Sequence, residues 1–177
     1  MRMRAFTLLF HLGVIGSGLA CGGLPKDEQL LKDFQNHRAD LETLVRMFQE
    51  DKGLGRVGDS FTRPDEPQKV GVSAERLRDY RRLCNAVGAP DCIEGYAAAF
   101  DRLFGPVEAG RSETKDPIWI HAASRGLGIS GSSKGFMYST DPRFEIVADL
   151  DRVRPRRSGT WIRHIDGAWY IYFDYED

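Results

Sequence analysis

Between Lys26 and Glu50 the apolar residues Leu30, Leu31, Phe34, Leu41, Leu44, Val45 and Phe48 recur at spacings of three and four, with charges between them. That period predicts an amphipathic helix over this stretch, ended by Gly53 and Gly55. His37 falls inside it near the apolar stripe and reads as a packed or boundary histidine. The stretch from Gly58 to Gly71, with Pro64 and Pro67, reads as a loop. A second helix follows Ser73, a good N-cap, with Glu75 in its first turn, an apolar face of Leu77, Tyr80, Leu83, Cys84 and Val87, and a stop at Gly88 and Pro90. Tyr96 to Phe104 reads as a short third helix on its alanine content.

After Pro117 the pattern turns to strands rich in branched and aromatic residues, at Ile118 to Ala122, Gly135 to Ser139 and Phe144 to Ala148. Thr160 to Ile165 and Ala168 to Tyr175 flank Asp166-Gly167, a two-residue hairpin signal. The last strand carries aromatics on both faces, as a central or covered strand does. The sum predicts an α+β domain: two or three N-terminal helices packed on a C-terminal antiparallel sheet of about five strands that ends in a β-hairpin.

The first 25 residues differ in kind. Arg2 and Arg4 precede an almost wholly apolar run from Ala5 to Ile15, and small residues follow at Gly16, Ser17, Gly18 and Ala20. The run is too short to span a bilayer, which takes about 20 helical residues, and its order is that of an export signal. Gly18-Leu19-Ala20-Cys21 resembles the lipobox of bacterial lipoproteins, with Gly18 where that family usually has Leu. The resemblance implies a signal peptide over residues 1–20, an acylated Cys21, a tether over 21–25 and one domain over 26–177. It also implies a domain held in the periplasm, with Gly22 after the cysteine pointing to the outer rather than the inner membrane. Three acyl chains would exceed the two signals that stable anchoring needs.

With Cys21 acylated, Cys84 and Cys92 remain as a pair that an oxidising compartment allows to bond, Cys92 lying just past the turn after the second helix. The spacing leaves two reduced, partly buried thiols open as well. Without residues 1–20 the chain has 157 residues, enough for one domain with a substantial core. Losing Arg2 and Arg4 leaves 23 basic against 26 acidic side chains, a formal charge of −3 that argues against a nucleic-acid partner. Arg152, Arg154, Arg156 and Arg157 read as a solvated basic loop.

The glycine-rich stretch 126–135 offers the most tempting chemistry. It contains the spacings Gly126-x-Gly128-x-x-Gly131 and Gly131-x-Ser133-x-Gly135, but both the dinucleotide and the nucleophile-elbow motif need a following helix, and here a strand follows. Two readings are left. The segment is a hairpin loop, or Ser130, Ser132, Ser133 and Lys134 form a nest of N–H donors and a cation for an anion or ligand. His37, His121 and His164 are far apart and outside any metal-ligand motif, so no metal or cofactor is expected. A hydrolase would have to assemble Ser133, His121 or His164, and Asp149 or Asp151.

The leading functional expectation is therefore a non-catalytic, membrane-anchored envelope lipoprotein that binds a protein or peptidoglycan partner. The alternatives are a small periplasmic hydrolase built on Ser133 and a lipoprotein immunity protein that occludes a toxin. The segments Tyr80-Arg81-Arg82-Leu83, Lys134-Gly135-Phe136-Met137-Tyr138 and Trp169-Tyr170 resemble uncharacterised bacterial lipoproteins, a likeness that implies no activity.

Overall fold

The computed structural model describes residues 23–95, 116–127 and 130–177. The signal segment, Cys21 and the third helix expected at Tyr96 to Phe104 lie outside the described residues. Two long helices, α1 (Asp27–Glu50) and α2 (Ala74–Ala86), occur where the period of 3.6 placed them. The strands are β1 (Arg56–Val57), β2 (Thr62–Arg63), β3 (Ile93–Gly95), β4 (Ile118–Leu127), β5 (Ser130–Tyr138), β6 (Glu145–Ile146), β7 (Gly159–Asp166) and β8 (Trp169–Glu176). They form one sheet in the order β2-β1-β3-β4-β5-β8-β7-β6.

The class is α+β as expected, but the sheet departs from the sequence reading in three respects. It has eight described strands rather than about five, and its β6–β7 edge pairs in parallel, so the sheet is mixed. Helices do not all precede strands: β1 and β2 lie between the two helices, inside and beside the stretch read as a loop, and β3 follows α2 directly. Strands of two or three residues are too short to show an alternating pattern, and only tertiary pairing creates them. For the same reason the strand expected at Phe144 to Ala148 shrinks to Glu145–Ile146.

The helices cover one face of the sheet. Leu30, Phe34, Leu41, Leu44, Val45 and Phe48 of α1 are buried against Val57, Ile93, Ile118, Ile120, Phe136, Trp169 and Ile171. Phe34 packs on Trp169 with ring centroids 5.5 Å apart and on Phe136 at 6.3 Å. His37 adopts non-helical angles (φ −122°, ψ 19°), which kinks α1, and it stays half-exposed beside Asp40 at 3.5 Å. It is thus a boundary histidine. At the far end of α1, Arg76 of α2 donates to Asp51 (2.9 Å), Glu50 (2.8 Å) and the Met47 carbonyl (3.2 Å), which satisfies a terminal acceptor of α1 and fixes the angle between the helices. Burial and the Asp51 hydrogen bond both push the Tyr80 hydroxyl far above its ordinary pKa, so it remains a neutral donor.

Ser73 caps α2 by accepting from the Arg76 N–H at 3.1 Å. The helix ends in a Schellman arrangement, with Gly88 at φ +68° and the Ala89 N–H on the Cys84 carbonyl at 2.8 Å. Cys92 sits in the left-handed region at φ +57° and is joined to Cys84 by a disulfide, the Cα atoms 5.2 Å apart. Its carbonyl accepts from the His121 N–H at 2.9 Å, so the reversal after α2 delivers the chain straight onto β4.

The last hairpin turns one residue later than expected. Asp166 pairs with Trp169 around Gly167 and Ala168, and a bulge between His164 and Asp166 absorbs the shift. Only Gly167 of the two turn residues needs positive φ, at +54°. The aromatic strand β8 is interior to the sheet, between β5 and β7, as its two apolar faces predicted.

Closing the short loop between residues 84 and 92 should contribute about 2.5 kcal/mol on the chain-entropy estimate. Urea unfolding of Cys84→Ala/Cys92→Ala should show that loss, with a native-like spectrum at zero denaturant. An unchanged midpoint would mean that the bond adds nothing to stability.

Candidate functional site

The described residues of the glycine-rich stretch are strand: Gly126 and Leu127 end β4, and Ser130 to Gly135 belong to β5. Ser132, Ser133 and Lys134 lie within β5, where Ser132 opposes Arg125 and Tyr175, and Ser133 opposes Ser124 and Asp174. Ser130 opens the strand opposite Leu127. Ser132, Ser133 and Lys134 pair with β4 on one side and β8 on the other, so their backbone groups are used by the sheet rather than gathered into a nest of N–H donors. Lys134 is buried, with 3 % of its surface exposed, and its ammonium lies 2.7 Å from Asp27 Oδ1 and 2.8 Å from Asp151 Oδ1. The cation expected for an anionic ligand is taken by two carboxylates of its own chain.

That lysine belongs to a closed cluster under the start of α1. Asp27 Oδ2 accepts from Arg163 Nη1 of β7 at 2.9 Å and from the Leu150 N–H at 3.0 Å, while the Asp27 N–H donates to Asp151 at 3.2 Å. Two carboxylates face two cations. Such compensation is what allows charges to be buried at all. Burial raises the Asp27 pKa, but the hydrogen bonds from Lys134, Arg163 and Leu150 outweigh it and hold the carboxyl below its ordinary 3.8.

A second polar row crosses the helix-free face. Arg56 of β1 lies 3.3 Å from Glu94 of β3, and Glu94 lies 3.2 Å from His121 Nε2 of β4. His121 Nδ1 is 2.7 Å from the Tyr172 hydroxyl of β8. The carboxylate favours the proton on Nε2, which leaves Nδ1 to accept from Tyr172. Strand β5 runs between His121 and Tyr172, and the residue opposite both is Gly135. A side chain there would stand between the partners; instead the imidazole and phenol close over bare backbone with their rings edge to face. A Cβ on Gly135 would also meet the Ile120 carbonyl at 2.1 Å and the Ala122 nitrogen at 2.8 Å, both backbone atoms.

These contacts separate the residues a hydrolase would need. Both ring nitrogens of His121 are turned to Glu94 and Tyr172, and neither to Ser133. His164 lies at the other end of the sheet, on the Gly167 carbonyl at 3.1 Å. Asp149 serves the Asp151 N–H and Arg152, and Asp151 is held by Lys134. Among the described residues no group of three His, Cys, Asp or Glu side chains is placed to hold a metal, and no helix is long and apolar enough to cross a membrane.

Sequence reasoning missed Asp27, Arg163, Glu94 and Tyr172 as members of buried clusters. One signal was present: Lys134 shares strand parity with Phe136 and Tyr138, a charge in an apolar row. Its partners come from residues 27, 151 and 163, too distant in sequence for any local pattern to join them.

One open feature of the described surface is a groove of about 380 Å³ between α1 and the β7–β8 turn. Arg38, Glu42, Arg46 and Asp166 form its rim, and Val45, Tyr138 and Trp169 its floor. Arg38 bridges the two sides through Glu42 and Asp166, each at 2.8 Å. Tyr138 stands edge-on to Trp169 with centroids 5.3 Å apart. No family model, no curated protein and no solved structure matches the chain.

Two consequences are measurable. Gly135→Ala should destabilise by about 2 kcal/mol, because the clash is with backbone, and urea denaturation would read it. Asp27 has its pKa lowered in the folded state, so its stabilising contribution is fully present above pH 3.8 and fades as pH falls through the folded value. Stability of wild type should therefore drop more steeply than that of Asp27→Asn as pH falls below about 4, and the variant should already be about 3 kcal/mol weaker at neutral pH. Parallel acid slopes in the two proteins would contradict the assignment.

Proposed function

We propose that this chain is a non-catalytic envelope lipoprotein, anchored through Cys21, that binds a protein partner in the groove between α1 and the β7–β8 turn. The groove is the observation that carries the binding half of this reading. An aromatic floor ringed by arginines and carboxylates is the composition of protein recognition sites, where Tyr, Trp and Arg contribute most of the energy. The pairing of rim charges of both signs suits a partner segment that is itself mixed in charge. The engagement of His121 with Glu94 and Tyr172, and of Lys134 with Asp27 and Asp151, supports a structural rather than a catalytic use of those groups. The anchoring half rests on the order of basic, apolar and small residues before Cys21.

Each half has its own test. Cys21→Ser should move the protein from the membrane fraction to the soluble periplasmic fraction, or leave it unprocessed, and the wild type should carry a diacylglyceryl mass on residue 21. A photocrosslinking residue at Gln49, which lines the groove, should give one discrete adduct in cells. The adduct should vanish with Glu42→Lys/Arg46→Glu and should not form from Arg82 on α2. Equal adducts from both positions would remove the groove as the binding site.

A further inference from the structure

Four arginines, at positions 152, 154, 156 and 157, follow one another around Pro155, and all are exposed. In sequence they read as a solvated loop. Their place in the fold gives that loop a direction. It begins at Asp151, whose carboxylate is bound to the Asp27 N–H and to Lys134, while the Leu150 N–H is bound to Asp27. The basic loop and the first turn of α1 are therefore fastened together by the buried charge cluster. Asp27 lies only six positions after Cys21, a stretch that spans at most about 21 Å when fully extended. Lys26, exposed, adds a further cation at the same end.

The charges of the loop are largely uncommitted. Arg152 faces Asp149 at 3.0 Å, and Arg154 donates to the carbonyls of Asp151 and Val153 at 2.8 Å. Neither Arg154, Arg156 nor Arg157 has a carboxylate partner among the described residues. The nearby acids are Glu28 on the first turn of α1, and Glu176 and Asp177, which close β8 where the Asp177 N–H donates to Ser158 at 2.9 Å. Asp27 and Asp151 are spent inside the cluster.

We propose that the arginine loop 152–157 is a membrane-facing surface that docks on anionic phospholipid headgroups beside the lipid anchor. The proposal rests on the anchoring reading of Cys21 and adds an orientation to it. A lipid tether alone leaves a domain free to tumble over the bilayer. Arginines held within a Debye length of anionic headgroups, about 8 Å, each favour the docked state by about fivefold. Strand β7 (Gly159–Asp166) leads from this loop to the turn beside the groove, about 24 Å away, so docking would point the groove away from the bilayer.

The test uses the full-length protein purified from bacterial envelopes. Intact mass reports the lipid at Cys21 and judges the anchoring reading by itself. The same protein is then placed on phosphatidylcholine vesicles with and without about one third phosphatidylglycerol, and amide exchange is followed across residues 152–158. Exchange should slow about fivefold or more on the anionic vesicles alone, and the slowing should disappear at about 0.5 M salt, where the screening length falls to about 4 Å. Arg156→Gln/Arg157→Gln should abolish it, and Arg82→Gln, an exposed charge on α2, should not. Equal exchange on both kinds of vesicle overturns the docking surface even when the cysteine carries its lipid. Slowing on anionic vesicles with an unmodified cysteine upholds the surface and removes the anchor.

Discussion

The ion pair between Lys134 and Asp27 fixes more of this architecture than any apolar contact does. A helix can slide along a sheet face at small cost while hydrophobic area stays covered, because the hydrophobic effect has no direction. A buried ammonium 2.7 Å from one carboxylate and 2.8 Å from another has direction and an exacting one. Moving α1 by a single turn would take Asp27 away from Lys134, Arg163 and the Leu150 N–H, and a buried charge left unpaired costs several kcal/mol. The position of α1 on the sheet, the path of residues 149–152 and the register of β7 against α1 follow from satisfying that set.

The second polar row has the complementary role on the other face. Arg56, Glu94, His121 and Tyr172 come from β1, β3, β4 and β8, so the row stitches short strands with little pairing of their own to the long central ones. Around it Met137, Ile162 and Tyr170 are buried, with Trp119 and Phe144 packed against them. A protein with polar clusters on both faces of one sheet is specified by charge placement as much as by apolar volume, and the same groups that look catalytic in a sequence are consumed in that specification.

The elements that were legible in the sequence are those whose signals are local. The helix over Leu30 to Phe48, the Ser73 cap, the Gly88 stop and the central, two-faced character of β8 all depend on spacings of at most a few residues. Counting offered Cys84 and Cys92 as a pair but left two reduced thiols open, and the 5.2 Å between their Cα atoms decides for the bond. What was illegible depends on contacts between distant residues: β1 to β3 exist only through the strands they join, and the stretch around Ser133 looks like a loop because its glycines answer to the neighbouring backbone rather than to a turn. The candidate residues Ser132, Ser133 and Lys134 were found, but their surroundings were not, since Asp27 and Asp151 lie more than one element away in the chain.

Lys134 and Gly135 stand side by side in β5 and point to opposite faces, one filling a charged socket beneath α1, the other leaving a vacancy for His121 and Tyr172 to meet across. Because neighbouring strand residues alternate sides, sliding β5 by a single residue would exchange the two. In one direction the lysine would strike the imidazole and phenol while Ser133 faced the carboxylates; in the other the carboxylates would face the bare backbone of Gly135 while Phe136 struck the two rings. Two adjacent residues thus act as a key with one orientation, and the frame in which the whole sheet assembles is set at that one dipeptide.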